Sequence, residues 1–87
     1  MEIDFSEQAR EDLIWWKNSG NKKAQKKISE LLSSIVTTPF EGVGKPEPLK
    51  YNLAGTWSRR INSEHRIVYE MYETVVYIIS MKGHYNA

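Results

Sequence analysis

The stretch WSRRINSEHRIVYEMYETVVYIISM, from Trp57 to Met81, decides the fold. Trp, Ile, Val and Tyr crowd it, as they do β-strands, and turn formers divide it. Asn62-Ser63-Glu64 and Glu73-Thr74 separate three β-prone segments, Trp57–Ile61, Arg66–Tyr72 and Val75–Met81. Upstream, Leu49–Leu53 reads as one more strand, ended by Ala54-Gly55. Short strands joined by tight turns pair antiparallel, because parallel neighbours need a long crossover. The second half of the chain is therefore predicted to be an antiparallel meander of four strands.

The first half has a different period. Glu2-Ile3-Asp4-Phe5 alternates polar and apolar, as a short half-buried strand does. Ser6 is a good helix N-cap, and Glu7 places a negative charge in the first turn, where the backbone dipole favours it. Ala9, Leu13 and Trp16 stand at i, i+4 and i+7, so residues 7–18 are predicted to form an amphipathic helix ending at Asn18-Ser19-Gly20. Asn21 caps a second helix, whose apolar face is Ala24, Ile28, Leu31, Leu32 and Ile35. Pro39 stops it near Thr37 or Thr38. Two Gly and two Pro within residues 41–48 mark a loop before the strands begin. The order is β-α-α-β-β-β-β: an α+β fold, two helices packed on one face of an antiparallel sheet, with residues 1–87 forming one domain.

Composition narrows the function. The chain has 87 residues, 40% hydrophobic and 26% charged, so a disordered or low-complexity polymer is excluded. With no cysteine there is neither a disulfide framework nor a thiol nucleophile. No apolar run approaches the length of a membrane span, and the start Met-Glu-Ile-Asp-Phe has no signal-peptide pattern, which points to a cytoplasmic protein with no membrane role. The net charge of +1 is uneven. Lys22, Lys23, Lys26 and Lys27 crowd one helix with only Glu30 near, either a solvated face or a local phosphate-binding surface.

Few residues could carry chemistry. His65 and His84 have no second ligand at metal spacing, so no metal or other cofactor is expected. Gly42-Val43-Gly44 lacks the rest of a nucleotide fingerprint. Glu47 lies between Pro46 and Pro48, on a stiffened backbone suited to a general base, or else is a surface acid in a rigid turn. Arg59, Arg60 and Arg66 lie on two strands joined by a turn, and planar guanidinium groups suit phosphate, although cross-strand pairing with Glu64 or Glu70 would also explain them. Arg59 and Arg60, being adjacent, cannot share a sheet face. His84-Tyr85 follows the last strand, a solvated tail or a general acid brought beside the strand of Arg66. His65 reads as structural. Together the Glu, the cations, the His and the Tyr are the parts that metal-free RNA cleavage needs: a base for the ribose 2′-OH, cations for the phosphorane and an acid for the leaving 5′-oxygen.

Several runs then carry a family resemblance: Thr38-Pro39-Phe40-Glu41-Gly42, Gly44-Lys45-Pro46-Glu47-Pro48-Leu49-Lys50, Trp57-Ser58-Arg59-Arg60-Ile61, Glu64-His65-Arg66 and His84-Tyr85. They closely resemble the YoeB/Txe toxins of bacterial type II toxin–antitoxin systems, within the RelE/ParE superfamily. The resemblance implies a RelE-like, microbial-ribonuclease-like fold and a ribosome-dependent endoribonuclease that cuts mRNA in the ribosomal A site. It implies Glu47 as general base, Arg66 as the phosphate-stabilising arginine, His84 as general acid and Tyr85 as a further active-site residue. Lys50 and Arg59 match positions that contact RNA phosphates. The implied partners are the ribosome and mRNA, a YefM/Axe-like antitoxin covering the active site, operator DNA through that antitoxin, and a second copy of the chain, with the two helices as a possible interface. Two features depart from the family pattern: Asn86-Ala87 follow Tyr85, and Lys82-Gly83 stand where some relatives carry a basic-aromatic pair. Two other classes fit the same fold. One is a ParE-like toxin that binds gyrase without cutting RNA, which would have no need of the Glu47, Arg66, His84 and Tyr85 set. The other is a regulatory module acting only in DNA repression.

Overall fold

A computed structural model describes residues 1–50 and 53–83. The elements follow the order β1 (Glu2–Phe5), α1 (Glu7–Ser19), α2 (Lys22–Thr37), β2 (Glu47–Pro48), β3 (Thr56–Arg60), β4 (Arg66–Tyr72) and β5 (Val75–Ser80). Both helix starts are fixed by the side chains named from sequence. Ser6 Oγ accepts from the Ala9 N–H at 2.9 Å, and Asn21 Oδ1 accepts from the Ala24 N–H at 3.0 Å. Gly20 ends α1 with φ 71°, a left-handed conformation that glycine adopts without steric penalty.

The sheet order is β1-β5-β4-β3-β2. Strands β2 to β5 form the expected antiparallel meander. β1 joins its edge parallel to β5, pairing Ile3 with Val76, so the sheet is mixed. Both helices and strands β2 to β4 lie between the two in the chain, a connection long enough for parallel neighbours.

The strand expected at Leu49–Leu53 is instead the two-residue β2 at Glu47–Pro48, paired with Ser58 and Trp57. Pro48 has no N–H to give, which suits an edge position. Beyond it the Leu49 N–H still bonds Thr56 O, while the Leu53 N–H turns back to Lys50 O.

The helices cover the sheet face that carries Ile67, Tyr69, Val76 and Ile78, all fully buried, and α2 contributes Ala24, Ile28, Leu31 and Ile35. Truncating Leu31, also fully buried, would cost about 2–5 kcal/mol as transfer energy and residual cavity. On α1 the inner face is Ala9, Asp12 and Trp16, whereas Leu13, expected inside, is 39% exposed. No helix among the described residues is long and apolar enough to cross a membrane.

Candidate active site

The sheet face turned away from the helices carries the candidate residues. Strand alternation sends Trp57, Arg59 and Ile61 toward the helices and Ser58 and Arg60 away from them. Register then aligns Glu47 with Ser58 and Arg60 with Arg66, so four polar residues from β2, β3 and β4 share the open face. Arg66 Nη1 donates to Glu47 Oε2 at 3.1 Å and to Ser58 Oγ at 3.3 Å. The guanidinium is sunk in the sheet while the carboxylate stands in solvent, their side chains being 10% and 59% exposed. Glu47 is therefore oriented by a fixed cation and still reachable by a ligand. The serine, which sequence reading passed over, completes the seat of Arg66.

Arg60 is exposed and directly opposite Arg66. Like charges facing across a strand pair are destabilising. Among the described residues no carboxylate lies within ion-pair reach of Arg60. Its N–H donates to Gly44 O at 2.7 Å, tying down the loop that leads to Glu47. Gly44, Lys45 and Arg60 line a concavity with Ile61 and Asn62, and it adjoins one lined by Lys23, Lys26 and Lys27. The lysine cluster of α2 thus lies beside the loop rather than on a remote face.

Arg59, which the family motif implied as a contact to RNA phosphates, is turned to the helix side of the sheet. It is fully buried, and every donor of its fork is engaged. Nε donates to Tyr69 Oη at 3.1 Å, Nη1 to Ser34 Oγ at 2.6 Å and Val43 O at 3.1 Å, and Nη2 to Thr38 O at 2.6 Å and Glu41 O at 2.9 Å. Tyr69 Oη in turn donates to Pro39 O at 2.6 Å. Burial raises the Tyr69 hydroxyl above its ordinary pKa, opposed by the hydrogen bond and charge of Arg59. Arg59 fastens the loop between α2 and β2, and Gly42 completes the fit: a Cβ there would stand 2.5 Å from Ser34 Oγ and 3.1 Å from Arg59 Nη1. Apolar Trp57 and Ile61, two residues to either side, were the signal that Arg59 faces inward.

Lys50 is exposed beyond β2, and among the described contacts its side chain meets neither Glu47 nor Arg66. His84 and Tyr85 lie outside the described residues. Gly83, the residue before them, accepts from the Arg66 N–H at 3.0 Å and donates its own N–H to His65 Nδ1 at 3.0 Å. His65 has the structural setting read from sequence, its ring 5.8 Å from that of Trp15 and 5.1 Å from that of Trp16. Among the described residues no cluster of three or more His, Asp or Glu could hold a metal ion.

Sequence and fold both have counterparts among known proteins. A toxin YoeB of Synechocystis is 49% identical, the match covering 99% of each chain. The structure of the YoeB dimer from Staphylococcus aureus superposes with a TM-score of 0.86 at 50% identity, covering 98% of each chain. A YoeB–YefM complex from the same organism gives 0.85 at 51%, again over 98% of each chain. The family model described as "YoeB-like toxin of bacterial type II toxin-antitoxin system" matches residues 5–85. With sequence and fold matched over nearly its whole length, the chain belongs to the YoeB-like toxins of bacterial type II toxin–antitoxin systems.

Proposed function

We propose that this toxin is a ribosome-dependent endoribonuclease that cuts mRNA at the A site by metal-free acid–base chemistry. The observation that carries the reading is the Glu47–Arg66 pair, an oriented, solvent-facing carboxylate on a buried guanidinium at 3.1 Å. Glu47 takes the proton of the ribose 2′-OH, and the freed 2′-oxygen attacks the adjacent phosphorus. Arg66, with Arg60 and Lys50 in support, neutralises the charge that develops on the phosphorane oxygens. The P–O5′ bond breaks, and His84 protonates the departing oxygen with Tyr85 beside it. The products are a 2′,3′-cyclic phosphate and a 5′-hydroxyl. Gly83 bonded to Arg66 supports these two roles, because it is the covalent neighbour of His84.

The adjoining concavities lined by Lys23, Lys26, Lys27, Lys45 and Arg60 offer phosphate contacts beyond the scissile bond. A small domain has little surface for reading bases, which favours the ribosome as the scaffold that presents the message. A cognate YefM-like antitoxin neutralises the toxin and carries the pair to operator DNA, and two copies of the chain associate, as in the Staphylococcus aureus structures.

Mapping of mRNA 3′ ends tests the reading, with purified protein added to ribosomes stalled on a defined message. A single cut at the A-site codon is expected, absent without ribosomes and absent with Glu47→Ala or His84→Ala. No cut under any condition refutes it and turns attention to gyrase inhibition.

A further inference from the structure

From Ile79, near the end of β5, to Gly83 the chain is gripped at every second residue by groups from elsewhere in the fold. Ser6 Oγ donates to Ile79 O at 2.6 Å. The Met81 N–H donates to Asp12 Oδ2 at 2.9 Å, and Trp16 Nε1 donates to Met81 O at 2.6 Å. Gly83 is held on both sides, its N–H by His65 Nδ1 and its carbonyl by the Arg66 N–H, each at 3.0 Å. Lys82 lies on the other side of the chain, with Nζ 4.4 Å from the Trp15 ring centre. A surface tail has no need of a buried acid, an indole donor and an imidazole acceptor. These groups fix the course of the chain as far as Gly83.

The holding residues are themselves rigid. Gln8 Nε2 donates to the other oxygen of Asp12 at 2.8 Å, so both carboxylate oxygens are occupied. His65 ends a turn tied by Asn62, whose Oδ1 accepts from the N–H groups of Glu64 and His65, each at 2.9 Å. His65 O accepts from the Ile61 N–H at 2.9 Å, and two tryptophan rings flank the imidazole. A backbone N–H can only donate, so the acceptor Nδ1 is unprotonated and any ring proton is on Nε2. His65 and Arg66 thus form a two-point clamp on Gly83, and one half of that clamp is the main chain of the arginine that holds Glu47.

We propose that His65 is a positioning residue for the cleavage reaction: through Nδ1 it fixes Gly83 against the main chain of Arg66 and so sets the approach of the segment carrying the general acid. This role rests on the proposed acid function of His84. The clamp touches neither the RNA nor the reacting atoms, so its loss lowers the rate of the chemical step and leaves binding alone. A misplacement of about 1 Å at a reacting group lowers a rate by roughly 10²-fold.

Single-turnover cleavage on stalled ribosomes tests the role, with wild type, His84→Ala, His65→Ala, His65→Asn and His65→Gln, each checked for its melting temperature. Asparagine places Oδ1 where the imidazole has Nδ1, whereas glutamine carries its acceptor one bond further out. His65→Ala is expected to lower the maximal rate by about 10- to 100-fold with half-saturation within about twofold. His65→Asn is expected to restore most of the rate, and His65→Gln not. A folded His65→Ala that cuts at the wild-type rate, or equal rates for the Asn and Gln variants, overturns the role. The underlying reading fails differently: a wild type that leaves the message intact, or a His84→Ala that still cuts, refutes both. A cutting wild type, an inert His84→Ala and a fully active His65→Ala refute the positioning role alone.

Discussion

Two buried arginines on neighbouring strands have opposite uses. Arg59 faces the helices with no exposed surface and gives all its donors to groups of the fold. Arg66 faces the open side and gives one nitrogen to a solvent-exposed carboxylate and a serine. The first is surrounded by acceptors of the folded core and loop; the second meets one that stands in solvent. Burial alone therefore says little about an arginine's function, and the destination of its N–H groups says much.

The comparison breaks most visibly at Arg66. Arg66→Gln is expected to lower cleavage on stalled ribosomes by about 10³-fold, equivalent to about 4 kcal/mol of transition-state stabilisation, with little change in melting temperature. A variant that still cuts at near the wild-type rate would move Arg66 into the class of Arg59. The converse substitution, Arg59→Met, leaves three carbonyls and two hydroxyls without their donor. It is expected to cost about 3–5 kcal/mol in urea denaturation, enough to unfold much of a domain whose total stability is on the order of 4–13 kcal/mol.

A smaller change sharpens the same contrast. Gly42→Ala must hold φ near 121° and push Ser34 and Arg59 aside, for about 1–3 kcal/mol by the same measurement. Smallest is the alkaline effect at Tyr69. Its folded pKa is raised above the unfolded value near 10, so the folded state holds the phenol proton more tightly. That stability is complete below the unfolded pKa and is lost as pH rises through the folded one. Melting temperatures of wild type and Tyr69→Phe between pH 8 and 11 should converge at the alkaline end.

Much of this was legible in the sequence, and the misreadings have physical causes. Ser6, Asn21 and Gly20 announced the helix ends because capping is local chemistry. The strand parity separating Arg59 from Arg60 was equally plain, and the apolar Trp57 and Ile61 mark the side to which Arg59 turns. On α1 the apolar Leu13 was taken for the inner face. Asp12, one position away, is the buried residue because a backbone N–H of Met81 awaits it, a partner nearly seventy positions distant that no local pattern reveals. Ser58 and the parallel partner of β1 were hidden for the same reason. Glu47 was recognisable by its two prolines, but its pairing with Arg66 depends on the register of three strands.

The parallel seam between β1 and β5 also has a consequence for biosynthesis. Among the described residues the first strand has no other neighbour in the sheet, and Ser6, Asp12 and Trp16 each make a long-range hydrogen bond to Ile79 or Met81. A nascent chain growing at roughly 5–20 residues per second carries β1 unpaired for about 4–15 s before Val76 exists to receive Ile3. The clamp on Gly83 closes later still. The fold therefore stays incomplete while most of the chain is being translated.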